Sequence, residues 1–304
     1  MKRMIWAAAA ASFVAGAAHG ESARMTGKFA AEQREVARLH SIAVDRFAGR
    51  DGPALSLALE RSLAGARHFD MVPIARRGDA NGAEGVISGA VSTGVQEEPW
   101  TKTEKKCVER DQADKCVRKA DVKTRCMRRT VEFTADVRVI DAVDNRLLYS
   151  GSRPRRDELT WCEGEEPSRT AEATVRGMVE GVAGELARAF APHVEDYSVR
   201  FRESTKGMPR DVEKTFKAIV RQSQRDLPGA CRGWSDLDAQ LPNHPSILFD
   251  LGLCAEASGD LARAEDLYRR AQPLLDRGSE AEAGLDRIDR LLAAKEDDLA
   301  RTQR

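Results

Sequence analysis

The sequence predicts a mixed α/β domain followed by an all-α C-terminal domain. The first domain is a mixed sheet covered by helices, with a long disulfide-braced hairpin. Residues 131–139 alternate apolar and polar side chains, as a half-buried strand does, and residues 39–75 have the pattern of strand, helix and strand. Apolar side chains recur at helical spacing between 245 and 276, which predicts the second domain.

The N-terminus has the three parts of a secretory signal. Lys2 and Arg3 are positive, Met4–Ala18 is apolar, and Ala18–Gly20 is a small-x-small cleavage site. No cysteine follows the apolar run, so the lipobox of a lipoprotein is missing. We therefore expect residues 1–20 to be cleaved. The mature protein would be periplasmic or otherwise exported, not a lipoprotein, and without a transmembrane segment.

The next elements are less regular. Residues 21–37 form a polar, Ala-rich segment that is either a loose helix or a tether. Strands are predicted at 39–47 and 69–75, on either side of an amphipathic helix at 54–65. A third strand is predicted at 85–95, where small and β-branched residues lead into a basic, cysteine-bearing insert.

A strand meander and a helix complete the first domain. The alternating strand 131–139 turns at 141–145 and returns from 146. A long helix is predicted over 168–190 and ends before Pro192. Its apolar face should cover the sheet, and consists of Ala171, Val175, Met178, Val179, Val182, Leu186 and Phe190.

Charge is balanced overall but uneven along the chain. The 49 Lys and Arg residues equal the 49 Asp and Glu residues, which argues against nucleic-acid or anionic-membrane binding. Residues 101–130 contain eleven basic and five acidic residues, and residues 157–166 contain five acidic and no basic ones. This pattern predicts that the two segments lie together, and the alternative is that each binds its own ligand.

Six cysteines in an exported chain indicate disulfides. Cys107 and Cys116 are symmetric about the Asp111–Gln112 bond, so a two-residue hairpin loop would place them opposite each other. Zinc is the alternative, but the C-x8-C-x9-C spacing lacks a knuckle and no histidine is nearby. We predict no metal and no cofactor. The expected bridges are Cys107–Cys116, Cys126–Cys162 and Cys231–Cys254.

Residues 38–192 resemble the periplasmic domain family of the curli secretion channel CsgG and the LpoB-type activators of penicillin-binding proteins. The segments that carry the resemblance are SIAVDRFAGRDG, LALERSLAGARHFDMVPIARR, AEGVISGAVS and VEFTADVRVIDAVDNRLLYSG. It implies an architecture and an envelope role, and no catalytic residue. Two features differ from the channel. Its membrane hairpins need alternating apolar residues, whereas the long hairpin here is charged, and the lipid-anchor cysteine is missing.

Residues 245–276 resemble a tetratricopeptide repeat (TPR). The matching residues are Leu248, Leu251, Gly252, Gly259, Ala264, Tyr268 and Ala271. A degenerate repeat precedes it, and residues 280–300 form a final helix. The alternative is an ordinary helical hairpin without a groove. The resemblance implies a partner-binding groove, for which Leu253, Ala255 and Glu256 are the candidates.

Two interpretations are open for the charged hairpin. It is either a solvated finger held rigid by its bridges or a docking surface for an acidic or glycan partner. Trp100 and Trp161 flank it and would then act as aromatic anchors, unless they pack on each other.

The sequence therefore predicts an exported non-enzymatic interaction or scaffold protein of the bacterial envelope, acting in envelope or outer-membrane assembly. Its four mature histidines are scattered, and no catalytic constellation is present. The expected partner is another envelope protein or peptide. The alternative is a subunit of an oligomeric secretion or channel complex. The predicted segments are a signal (1–20), a polar segment (21–37), the α/β domain (38–192), a linker (193–207) and TPR-like helices (208–300).

Overall fold

A computed structural model describes residues 21–74 and 82–303. The predicted signal peptide lies outside the described residues. The chain divides into two compact units. We call residues 28–195 and 290–304 the α/β unit, and residues 21–27 and 196–289 the helical unit.

Strands dominate the first half of the described chain and helices the second half. In chain order, the elements are β1 (Ser22–Phe29), α1 (Arg34–Ala37), β2 (Ser41–Val44), α2 (Gly52–Ala66), β3 (Asp70–Met71), β4 (Gly85–Arg110), β5 (Cys116–Asp141), β6 (Leu147–Cys162), α3 (Ala171–Phe190), β7 (His193–Arg200), α4 (Arg210–Ser223), α5 (Leu227–Gln240), α6 (Pro245–Ala257), α7 (Leu261–Ala271), a 3-10 turn (Gln272–Leu274) and α8 (Glu280–Thr302).

Five strands form one sheet in the order β3-β2-β4-β5-β6. β2 runs parallel to β3 and β4, whereas β4–β5 and β5–β6 are antiparallel pairs. The β2–β3 pair is parallel because the chain crosses back through α2 between the two strands. This topology confirms the predicted mixed sheet.

Helices α2 and α3 cover one face of this sheet. α3 begins after Thr170, whose side-chain oxygen accepts a hydrogen bond from the Ala173 N–H at 3.2 Å. Most of the predicted apolar face of α3 is buried, while Ala171 and Val175 near its start are only half-buried. The buried residues of this face are Met178, Val179, Val182, Leu186 and Phe190.

The charged insert is an extension of the core strands. β4 and β5 are each 26 residues long and stay paired far beyond the helices. We call residues 96–129 the arm. The predicted strand at 85–95 was therefore too short, since β4 continues to Arg110. The prediction ended early because the polar residues after 95 pair in the same ladder but bury no face against a core.

The turn of the arm differs from the predicted two-residue loop. Asp111 N–H donates to the Lys115 carbonyl at 2.9 Å, and Asp114 has a positive φ of 61°. Cys107 faces Lys119 in the ladder, so the expected Cys107:Cys116 register was wrong. The Asp111 side chain stabilises this wider turn, since its Oδ1 accepts from the N–H of Lys115 at 2.9 Å.

Two segments have more structure than the sequence indicates. Residues 21–37 contain strand β1, and residues 193–207, expected as a linker, contain strand β7. The two strands form a two-stranded sheet. The predicted strand at 69–75 is reduced to Asp70–Met71 among the described residues.

The helical unit contains α4 to α7 and the first part of α8, besides most of β1 and β7. Gly252 allows α6 and α7 to approach, because a Cβ at this position would lie 2.5 Å from Cε1 of Tyr268. The largest fully buried side chains of this unit are Trp234, Tyr268, Phe216 and Phe249.

Candidate interaction surfaces

All three predicted disulfides are formed. Cys107–Cys116 closes the tip of the arm, where two register shifts bring the Cα atoms to 5.7 Å. Cys126–Cys162 joins directly opposed residues of β5 and β6 at the base of the arm. Cys231–Cys254 links α5 to α6. The arm is thus cross-linked at both ends.

Trp100 and Trp161 lie on opposite faces of the arm. Trp100 is opposite Cys126, whereas Trp161 is opposite Met127 in the next row, and neighbouring rows point to opposite faces. The two rings therefore do not stack on each other. Arg128 lies over Trp100 with its Cζ 5.5 Å from the ring centroid, and Arg129 lies over Trp161 at 5.0 Å. Each ring thus already has a cation against one face.

The acidic segment 157–166 lies beside the base of the arm, as the charge pattern predicts. Glu158 pairs with Arg128 at 3.2 Å. The Glu163 N–H donates to the Arg125 carbonyl at 2.8 Å, which extends the ladder by one residue. These contacts use only part of the basic charge of the arm.

One face of the arm, with Trp100 on it, carries paired charges. Lys102 lies 2.7 Å from Glu104, and Lys106 lies 3.7 Å from the other oxygen of the same carboxylate. The hydrogen bond between Lys102 and Glu104 raises the pKa of the lysine and lowers the pKa of the glutamate. This face is therefore close to internally neutral along β4.

The other face carries cations without such partners. Lys105, Lys119, Lys123 and Arg125 are exposed and share one face by register, and we call these four residues the cationic face. Within the described chain, none of them has a carboxylate oxygen within 4.0 Å. Two acidic residues share these rows, Asp121 opposite Lys105 and Glu163 beside Arg125, and neither forms an ion pair with the four cations.

Among the described residues, no strand pairs with the outer edge of β4 along the arm. This edge is paired up to Val91, whose N–H donates to the Ala48 carbonyl at 2.8 Å. Pro99 has the same parity as Val91, so its nitrogen also points to this outer edge. Proline has no N–H to donate to an added strand, and the edge is blunted there.

The outer edge of β6 is blunted in the same way. Cys162 uses its N–H on the outer side, where the Glu165 carboxylate accepts it at 3.0 Å. Pro154 has the same parity as Cys162 and therefore also presents a donorless nitrogen to the outside. Both free edges of the arm thus resist pairing with another strand.

A cleft of about 390 Å³ opens between α2, α3 and β4 where the arm begins. Leu57 of α2 and Val95 of β4 line it and are unusually exposed for apolar residues, at 57% and 47%. Arg61 and Glu180 form an ion pair at 2.6 Å among its lining residues. The cleft is therefore an exposed apolar depression, with a charged rim, that adjoins the arm.

A second groove, of about 450 Å³, lies between α5, α6 and the start of α7. Ala255 lines this groove together with the Cys231–Cys254 bridge. Leu253 and Glu256 are not among its lining residues, and Ala255 itself is only 5% exposed. Ala255 and Glu256 are adjacent in α6 and point in different directions, so the three candidates do not share one opening.

Glu256 is instead the centre of a buried polar cluster. Its carboxylate accepts from the hydroxyls of Tyr197 at 2.8 Å and Tyr268 at 2.6 Å. Arg287 binds it with two nitrogens, Nε at 2.5 Å and Nη2 at 2.7 Å. Burial and the adjacent carboxylate raise the pKa of both tyrosines. This cluster stabilises the fold and is closed to a partner.

Asp250 is a second buried acid of the helical unit. Its Oδ1 accepts from the Arg202 N–H at 2.8 Å, and its Oδ2 has no hydrogen-bond partner among the described residues. Burial therefore raises the pKa of this carboxyl well above its usual range.

Sequence reasoning missed the cationic face and the cleft. The cationic face could have been found by counting along β4, because side chains two residues apart in a strand point to the same face. Lys105 lies an even number of residues from the buried Ile87 and therefore shares its face. The cleft has no such local signal, since it joins residues from three distant segments.

The described residues 21–74 and 82–303 contain neither a membrane-spanning helix nor a cluster of metal ligands. No helix in these ranges is both long and apolar enough to cross a bilayer. No group of three or more His, Cys, Asp or Glu residues in them is placed to hold a metal ion.

Comparisons with known proteins add little. No family model and no curated protein match the chain. A PelC dodecamer from Paraburkholderia phytofirmans is similar over 54% of this chain and 97% of its own, at 17% identity and a TM-score of 0.26. A putative lipoprotein from Caulobacter crescentus CB15 covers 52% of this chain and 88% of its own, at 20% identity and a TM-score of 0.25. Lipoprotein GNA1162 from Neisseria meningitidis covers 47% and 98%, at 13% identity and a TM-score of 0.20. Likenesses this weak carry no argument about function.

Proposed function

We propose that this protein is an exported, non-enzymatic binding or scaffold protein of the bacterial envelope, and that it holds an anionic partner on the cationic face of its arm. The observation that carries the proposal is the contrast between the two faces of the arm. Lys102 and Lys106 share Glu104, whereas the four residues of the cationic face have no carboxylate within 4.0 Å in the described chain.

The construction of the arm favours a binding role. A two-stranded ribbon alone is marginally stable in water. Here bridges at the tip and at the base hold the ribbon in place, so it is ordered before a partner arrives. Less entropy is then lost on binding, and more of the interaction energy remains as affinity. Disulfides also fit an oxidising compartment, which supports an exported location.

The proposal also assigns a family to each of the two domains. The order of elements in residues 38–192 supports a CsgG- or LpoB-like domain. The close approach of Gly252 to Tyr268 supports a TPR-like pair of helices in the C-terminal domain. In this interpretation, the groove at Ala255 is a second, independent site for a peptide.

Charge reversal tests the cationic face. The variant Lys119→Glu/Lys123→Glu is compared with Lys102→Glu/Lys106→Glu, which changes the net charge equally on the opposite face. The probe is a fluorescent decaglutamate peptide, titrated at two salt concentrations. We expect the first variant to weaken binding at least about tenfold and to flatten its salt dependence.

The control variant should stay within about twofold of the wild type, because its lysines are already paired. Equal losses in both variants would show that only net charge matters and would contradict a specific face. Wild-type protein that does not bind the peptide at low salt would remove the proposal.

The second candidate is a subunit of an oligomeric secretion or channel assembly. The observation in its favour is that, in the described part of the chain, no strand pairs with the outer edge of β6 or with the outer edge of β4 along the arm. The outward prolines at 99 and 154 weigh against strand pairing between subunits. Mass measurement of the mature protein in detergent separates the two candidates, because a large ring would support the assembly and a monomer or small oligomer the binding protein.

A further inference from the structure

The cleft and the cationic face lie on one side of the same strand. Thr93 and Val95 of β4 line the cleft, and Lys105 lies further along β4 with the same parity. The β4–β5 ladder has no register shift between these residues, so their side chains point to the same face. A ligand can therefore contact both without crossing an edge of the arm.

The two ends of this surface differ in chemistry. At the cleft, Ala54, Leu57, Val95 and Val175 form an apolar lining. At the other end, the four residues of the cationic face are exposed. A ligand that fits both ends needs an apolar group at one end and negative charges at the other.

The spacing of the two ends sets the length of the ligand. Val95 and Lys105 are ten residues apart on one strand, which corresponds to about 34 Å at the rise of an antiparallel strand. An extended polypeptide of roughly ten residues spans this distance.

We propose that the cleft and the cationic face form one binding track for an extended segment of another envelope protein. An apolar side chain of that segment occupies the cleft, and acidic residues about ten positions away contact the cationic face. This inference rests on the proposed function and specifies the partner.

Two other occupants fit less well. A second copy of this chain would bring two cationic faces together, which charge repulsion opposes. A glycan usually stacks on a free aromatic face, but none of the residues that line the cleft is aromatic, and Trp161, on the same face, already has Arg129 over its ring.

Synthetic peptides test the track on the full mature protein. The anchored peptide has Leu-Phe, a ten-residue Gly/Ser spacer and four glutamates. One reference peptide has Ser-Ser in place of Leu-Phe, and another has a three-residue spacer. We expect the anchored peptide to bind about tenfold more tightly than either reference, since it alone buries the apolar pair while keeping its charges in place.

Variants of the cleft locate the anchor. Leu57→Asn and Val95→Thr together should abolish the tenfold advantage and leave binding of the Ser-Ser peptide unchanged. The control is Leu147→Asn with Val143→Thr, because these apolar residues are also exposed, at 56% and 83%, and do not line the cleft. Circular dichroism and thermal melts check that all variants fold.

The outcomes separate this inference from the proposed function. Equal affinity for the anchored and Ser-Ser peptides would overturn the track, while the anionic partner would stand. Tight binding of polygalacturonate without binding of any peptide would also overturn it. Loss of peptide binding only in the cationic-face variants would leave the cleft without a role and overturn the inference.

Discussion

The helical unit and the arm treat charge in opposite ways. The helical unit buries Glu256 and surrounds it with Arg287 and two tyrosine hydroxyls. The arm exposes Lys105, Lys119, Lys123 and Arg125 and gives them no partner within the described chain. A paired, buried charge costs much to disturb and is unavailable to a ligand, whereas an unpaired, exposed charge costs little and can bind one. Stability and recognition are therefore separated in this protein.

The largest expected effect is at Glu256. Glu256→Ala leaves the mostly buried guanidinium of Arg287 and two tyrosine hydroxyls without their acceptor, and should lower the free energy of unfolding by about 2–4 kcal/mol. The matched control is Glu265→Ala, which removes a helix-surface pair with Arg269 and should cost less than about 1 kcal/mol. Urea denaturation measures both. Similar losses in the two variants would break the contrast between the helical unit and the surface.

The next largest loss of stability is expected from substitution of Gly252. A Cβ there would lie 2.5 Å from Tyr268, so Gly252→Ala should destabilise the helical unit by about 1–3 kcal/mol through overpacking. Ala255→Trp, three residues along α6, changes a residue that is 5% exposed but lines the groove, so it should cost less than Gly252→Ala while blocking any peptide there. Thermal melts compare the two variants. A larger loss for Ala255→Trp would show that the groove is closed in solution.

The pH dependence of stability tests whether Asp250 is a buried acid, in contrast to the exposed charges of the surface. Its raised pKa means that the folded protein binds the proton more tightly than the unfolded chain, whose Asp titrates near about 3.9. This contribution is fully present below that value and is lost as pH rises through the folded pKa. Asp250→Asn keeps an acceptor for the Arg202 N–H but carries no charge. The unfolding free energy of this variant, relative to that of the wild type, should therefore rise by about 1 kcal/mol or more between pH 4 and pH 8.

Urea denaturation at several pH values measures this difference. The control is Asp236→Asn on the exposed side of α5, which should change stability by less than about 0.5 kcal/mol at each pH. A constant difference between wild type and Asp250→Asn across this range would argue against a buried, proton-binding carboxyl.

The smallest effect on stability is expected at the arm edges. Pro99→Val and Pro154→Val each restore an outward N–H donor on a free edge. We expect little change in unfolding free energy but measurable self-association by sedimentation velocity, most clearly in the double variant. Pro167→Val, in the loop before α3, is the control and should stay monodisperse like the wild type. Unchanged sedimentation of the double variant would mean that the charges alone keep the edges apart.

Local patterns predicted much of the fold. Apolar periodicity placed α2 and α3, and alternation placed β5, because these elements bury one face and their sequences repeat with the period of the element. The three expected bridges form, although Cys107–Cys116 closes across two register shifts and not between directly opposed residues. Polar strands were missed or shortened: β7 and the outer half of β4 have no buried face to produce a pattern.

The sequence by itself therefore determined α2, α3, the strand at 131–139, the pairs of cysteines and the excess of positive charge in residues 101–130. The tertiary structure alone decided which of those charges are neutralised, because register and turn geometry assign Lys102 and Lys105 to opposite faces. It also decided that Leu57 and Val95 line one cleft and that Glu256 is buried away from the groove. These outcomes depend on contacts between residues far apart in the chain, which local periodicity does not encode.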